Sequence, residues 1–245
     1  MLEIRNVYKS YDGKTDAIKD ISLDIESGDI FAFIGHNGAG KTTLIKCIVG
    51  LLEFDRGTIK IDGIDVKDNL LDAKKIFAYI PDNPNIYESM SGIQYLNFIC
   101  DAFNLPIGER REKIQKYSTI LDMIGKLGDK ISSYSHGMKQ KLVIIGALIH
   151  SPKLLILDEP FVGLDPEASF KIKNIFKEIT ESGAAIFFST HVLDTAEKIC
   201  NKVGVIRHGE VIKCGEMSVI KKDESLEEVF MELLGEDNGQ NIWFS

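Results

Sequence analysis

The chain has 245 residues, 44% of them apolar and 27% charged, with a formal net charge of −8. That length can bury a sizeable core, and the acidic balance argues against a general nucleic-acid binder, which needs a basic face to neutralise phosphate. Cys47, Cys100, Cys200 and Cys214 are scattered with no C-x-x-C pair, so reduced thiols of a cytosolic protein are expected rather than a zinc site or a disulfide framework. The start, MLEIRNVYKS, has no apolar signal core, and runs such as LVIIGALI fall short of the ~18 residues of a membrane span, so the chain is not expected to cross a membrane itself.

In chain order, LEIRNVYKSY and AIKDISLDIES alternate polar and apolar residues and predict two half-buried strands, paired antiparallel. GDIFAFIG is a continuously apolar strand that runs into a Gly-rich loop and a helix through about Leu51. GTIKIDG and KIFAYIP predict two more strands. From about Asp82 to His150 the apolar spacing becomes helical, in IQYLNFICDAF, KIQKYSTILDMI and KQKLVIIGALI. Alternation then returns: KLLILDEP is a buried strand, PEASFKIKNIFKEITES a helix opened by proline, AAIFFST a buried strand and VLDTAEKIC a helix. VGVIRHGEVIKCG predicts a hairpin turning at His208–Gly209, and SLEEVFMELL an amphipathic helix before a polar end expected to be disordered. Buried strands alternating with helices imply a mostly parallel α/β sheet with helices on both faces and a helical insertion in the middle.

Gly35-His36-Asn37-Gly38-Ala39-Gly40-Lys41-Thr42 satisfies G-x-x-x-x-G-K-[ST] between a strand and a helix, the context that motif requires. Glycines let the backbone curl its N–H groups towards phosphate oxygens, and the following helix adds its positive end. Lys41 is expected on the β- and γ-phosphates, the Thr42 hydroxyl on Mg²⁺ and Thr43 near the α-phosphate. LLILDEP closes a strand with two carboxylates. Asp158 is placed to hold Mg²⁺ through water, and Glu159 to polarise the attacking water. ATP and Mg²⁺ are the implied ligands. The fold class is therefore α/β: a P-loop NTPase core with a mostly parallel sheet, an antiparallel β subdomain and an inserted α-helical subdomain. The core is expected at 1–81 and 151–220, the insertion at 82–150, and a C-terminal helix with a polar tail at 221–245.

A second loop, YSHGMKQ, offers the Ser135 hydroxyl and the Gly137 N–H just before the helix MKQKLVIIGALI, an arrangement that suits an anion. Taken alone it reads more simply as a serine helix cap, and His191, after AIFFST, reads alone as a structural histidine. The whole chain resembles the nucleotide-binding subunit of an ATP-binding cassette (ABC) transporter, with the cassette covering 1–235. YSHGM stands where that family has LSGGQ: Ser135 and Gly137 are kept, while His136 and Met138 depart from it. The Y-S-x-G-M-x-Q form resembles bacterial exporters whose membrane subunit is a separate polypeptide.

The resemblance implies a head-to-tail dimer, of identical or related subunits, with each ATP between one copy's residues 35–43 and the other copy's Ser135–Met138. It implies Tyr11 stacking on adenine, Asp165 bridging the dimer and His191 sensing the γ-phosphate. It implies a membrane-spanning partner that meets the segment near Asn83–Glu88, and a place on the cytoplasmic face of the membrane. Asp82, in AYIPDNPNIYE, stands where the family usually has glutamine; its carboxylate can ligate Mg²⁺ but adds charge and cannot donate a hydrogen bond. A cassette acting on ribosomes or chromosomes is the alternative, disfavoured by the single cassette, the missing coiled coil and the negative charge. A small-molecule P-loop kinase leaves YSHGMKQ unexplained.

Overall fold

The computed structural model describes residues 1–84 and 86–235. The first half of the chain forms β1 (Leu2–Ser10), β2 (Asp16–Ile25), β3 (Ile30–Ile34), α1 (Lys41–Ile48), β4 (Arg56–Ile61), β5 (Ile64–Asp65), α2 (Leu70–Lys74), β6 (Phe77–Ile80), α3 (Gly92–Ala102) and α4 (Ile107–Ile120). Then follow α5 (His136–Ile149), β7 (Leu154–Asp158), α6 (Pro166–Glu181), β8 (Ala185–Thr190), α7 (Leu193–Ile199), β9 (Lys202–Arg207), β10 (Glu210–Glu216), α8 (Met217–Lys221) and α9 (Leu226–Gly235). No helix among the described residues is long and apolar enough to cross a membrane. The polar tail after Gly235 lies outside the described residues.

One sheet has the order β10-β9-β3-β8-β7-β6, parallel except for the β9–β10 hairpin. The other, β2-β1-β4-β5, is antiparallel. Side chains alternate faces along a strand, and the central strands are apolar on both faces until their carboxyl ends because each face meets a different core. Ala32, Leu155, Leu157, Ile186 and Phe188 pack with α3–α9, whereas Phe31, Phe33, Leu154, Ile156 and Phe187 pack with α1 and the antiparallel sheet. Helices meet both faces as expected, and on the face that carries α1 the second sheet joins them. The half-buried alternation of LEIRNVYKSY and AIKDISLDIES fits that role, since β1 and β2 have a single face to bury.

Some ends differ from those read in the sequence. The helix after the Gly-rich loop stops at Ile48, not Leu51, and Gly50 turns the chain at φ 71°. α4 begins at Ile107, ahead of the apolar KIQ, because its first turns are polar and tied by ion pairs Arg110–Asp101 (2.7 Å) and Lys113–Glu109 (2.5 Å). Periodicity of apolar residues cannot see such turns. α5 starts at His136, so Gly137 lies within its first turn and not before it.

His150 ends α5, where the helix dipole favours an imidazolium, yet its ring stacks flat on Phe103 with centroids 3.7 Å apart. Burial wins, pushing its pKa down to about 4 against opposing hydrogen bonds to the Phe77 and Gly146 carbonyls. The folded chain therefore takes up this proton less readily than the unfolded one. Stability is complete above the unfolded value of ~6.5 and falls as the pH drops from there towards the folded value. The urea midpoint should fall between pH 7 and pH 5, and fall less in His150→Gln.

Candidate nucleotide site

The parallel strands β3, β8, β7 and β6 lie side by side in that order, and their carboxyl ends deliver the motifs to one edge of the sheet. Ligands of open α/β sheets gather there, where backbone groups leave the ladder. β3 runs into the Gly-rich loop, β8 into His191, β7 into Asp158 and Glu159, and β6 towards Asp82. A cleft of about 410 Å³ is lined by the predicted Tyr11, Asn37, Gly38, Gly40, Lys41, Thr42, Thr43, Asp82, Asp158 and Glu159, together with Ala17.

The loop is held in shape before any ligand arrives. Gly40 adopts φ 113°, and a Cβ there would lie 2.6 Å from the Ala17 carbonyl oxygen, so only glycine fits. The β9–β10 turn buttresses the loop through Gly209 N donating to the Ala39 carbonyl at 3.0 Å. Lys41 donates to the carbonyls of Gly35 (2.6 Å) and His36 (3.2 Å). Burial lowers its pKa, with Glu159 and Asp158 acting the other way. The His36 ring leans on Phe230 of α9, with centroids 5.3 Å apart. Tyr11, 64% exposed, forms a wall of the cleft and shares a 3.2 Å hydrogen bond with the Thr43 hydroxyl.

Asp158 is 1% exposed. Register pairs it with Ser189 on β8, both on the face that carries α1. Its two oxygens are satisfied from different elements: Thr42 donates to Oδ2 at 2.7 Å and Ser189 donates to Oδ1. Glu159, one residue on, leaves the strand at φ 50°, a left-handed conformation that costs a non-glycine residue of order 1–3 kcal/mol. Its N–H is pinned by the Ser189 carbonyl and hydroxyl, each at 3.2 Å. Its Oε1 meets His191 Nδ1 at 2.9 Å, and its buried Oε2 has no partner.

The remaining predicted residues are elsewhere. Ser135 caps α5, accepting from Met138 N at 3.3 Å. Asp165 caps α6, accepting from Ala168 N at 2.7 Å, and pairs with Lys141 at 3.4 Å. Neither these nor His136, Gly137 and Met138 line the cleft. Ser189 and Ala17 were not singled out in the sequence, and the turn at Gly209 was read only as a hairpin. Only Ser189 left a trace there, as a hydroxyl closing the apolar run IFFST.

These features define a P-loop ATPase. A family model described as "ABC transporter" matches residues 18–162. The ABC-type transporter ATP-binding protein EcsA of Bacillus subtilis is 32% identical over 98% of both chains. The methionine import ATP-binding protein MetN of Clostridioides difficile is 32% identical over 90% of this chain and 70% of its own. A solved structure of the ATP-binding subunit of an ABC transporter superposes with a TM-score of 0.92 at 33% identity, over 96% of this chain and 99% of that one. The chain belongs to the ABC transporter family, as an ATP-binding and ATP-hydrolysing subunit.

Ser189→Ala should leave the buried Asp158 Oδ1 without its donor. A loss of about 1–3 kcal/mol in unfolding free energy is expected for such an orphaned group, measured by urea denaturation.

Proposed function

We propose that two copies of this chain, or this chain and a related subunit, close head to tail on two ATP molecules and drive a separate membrane-spanning subunit. The observation that carries this reading is a separation. The cleft gathers the loop, the metal ligands and the glutamate, while Ser135–Met138 lie outside it at the start of α5. A hydroxyl and a backbone N–H at a helix start, set apart from the protomer's own cleft, suit a phosphate brought by another copy.

In this reading residues 35–43 wrap the phosphates with backbone N–H groups and Lys41 moves from its own carbonyls to the β- and γ-phosphates. Tyr11 stacks on the base. The residues present fit a hard divalent cation: the Thr42 and Asp158 oxygens are 2.7 Å apart, and Asp82 adds a third oxygen donor to the cleft. Among the described residues no three His, Cys, Asp or Glu side chains converge as a metal site, which matches Mg²⁺, held by few protein ligands with phosphate completing its shell. When bound it neutralises charge on the phosphates. Glu159, turned out of the strand with Oε2 free, accepts the proton of the attacking water, and His191 orients its other oxygen and meets the γ-phosphate. Ser135 and Gly137 of the facing copy hold that phosphate, and Asp165 contacts the facing copy. Hydrolysis removes the bridging charge and the pair opens.

The division into a core at 1–81 and 151–220, a helical insertion at 82–150 and a C-terminal segment from 221 belongs to the same proposal. The membrane partner docks where α3 borders the core. An apolar groove of about 300 Å³ there is lined by Leu51, Phe77, Tyr79, Tyr95, Ile99 and Phe103. Beside it Tyr87 and Phe98 meet edge to face at 5.7 Å while 58% and 43% exposed. Docking there holds the chain at the cytoplasmic face of the membrane. The Y-S-x-G-M-x-Q variant supports export, although similarity to an import protein means that direction rests with the membrane subunit.

Glu159→Gln should slow hydrolysis at least ~100-fold, the usual worth of a general base. It should run as a dimer in gel filtration with ATP and Mg²⁺, and as a monomer once Ser135→Arg is added; a monomer without that second change sinks the proposal. Phe98→Asp should leave ATPase activity of the isolated subunit within about twofold and abolish co-purification with the membrane subunit.

A further inference from the structure

His136 is the residue by which YSHGM departs most from the family pattern, and its ring has a defined place inside its own protomer. A Cβ added to Gly163 would lie 2.5 Å from Cδ2 and 3.0 Å from Nε2 of His136, so the imidazole rests directly on the glycine. Gly163 sits at φ 78° in the loop 160–165, between Glu159 and the cap of α6. Two further side chains of α5 hold the same loop. Gln140 Nε2 donates to the Pro160 carbonyl at 3.3 Å, and Lys141 pairs with Asp165 at 3.4 Å. Residues 136 and 140 are one helical turn apart and share a face, so the start of α5 grips the loop at its beginning, middle and end.

We infer that His136 is a positioning residue, clamping loop 160–165 to α5 so that the water-polarising Glu159 follows the movement of Ser135 and Gly137. The backbone supplies the link. Pro160 is bonded directly to Glu159, which leaves the strand at a strained φ, and the Pro160 carbonyl, one peptide further on, is the group held by Gln140. A shift of α5 on meeting a phosphate therefore pulls on the chain one peptide beyond the glutamate. A glycine in place of His136 has no side chain to reach Gly163. The clamp is a contact within one protomer; its use as a relay rests on the head-to-tail reading above.

Gly163→Ala and His136→Ala remove the same contact from its two sides. The alanine at 163 displaces the imidazole and also carries the cost of a positive φ. Each should lower kcat for ATP, about threefold for His136→Ala and about tenfold for Gly163→Ala, with KM for ATP within twofold in Gly163→Ala, whose position lies outside both the cleft and Ser135–Met138. The double variant should lose no more than Gly163→Ala alone, about tenfold. Losses that multiply to thirtyfold or more overturn the clamp, as does an unchanged kcat in His136→Ala. His136→Phe keeps a flat ring over Gly163 and should retain at least half of wild-type kcat; a fall to the alanine level overturns packing as the cause. Dimer formation by Glu159→Gln with ATP is scored separately. Its failure removes the two-copy reading, while the clamp is still decided by the single and double variants.

Discussion

A parallel sheet buried on both faces can offer chemistry only at its strand ends, and that constraint organises this molecule. Along β3, β7 and β8 every apolar side chain is committed to one of two cores. A polar group within those strands needs a partner across the sheet or above it. At the carboxyl ends the ladder stops, and four neighbouring strands release loops towards the same place. The nucleotide cleft is the space those loops enclose.

Asp158 shows how closely the chemistry is tied to this packing. It continues the Leu154–Ile156 face of β7, so it points at α1, the helix that carries Thr42. The parallel register sets Ser189 beside it. A buried carboxylate is costly unless hydrogen-bonded, and here the two donors come from the two elements that must be correctly seated for nucleotide to bind. Glu159 has the opposite environment. The chain twists out of the strand, leaving one oxygen on His191 and the other without a partner. Adjacent carboxylates are thus given different tasks by one change of backbone conformation.

The helical segment is not an independent ball attached to the core. Tyr95, Leu96, Leu142 and Ile145 share a continuous apolar cluster with Ala32, Leu157 and Phe188 of the sheet. Polar contacts at the start of α5 extend that junction to loop 160–165. A displacement at Ser135 is accordingly felt near Glu159 without passing through solvent, since close-packed interiors transmit strain.

By itself the sequence determined the local chemistry. Glycine spacing, Lys41 and Thr42 declare a phosphate loop, and the Asp158–Glu159 pair a charged strand end, because backbone curvature and donor type are written in residue identity. Strand and helix periods were legible for the same reason: burial imposes a period of 2 or 3.6. Only the tertiary structure decided what depends on elements distant in the chain. It brought the second sheet to the face that carries α1. It chose Ser189 as the partner of Asp158 through strand register, set the Gly209 turn against the loop and laid His136 on Gly163. Pairings of this kind arise when packed elements meet, and no spacing along the chain encodes them.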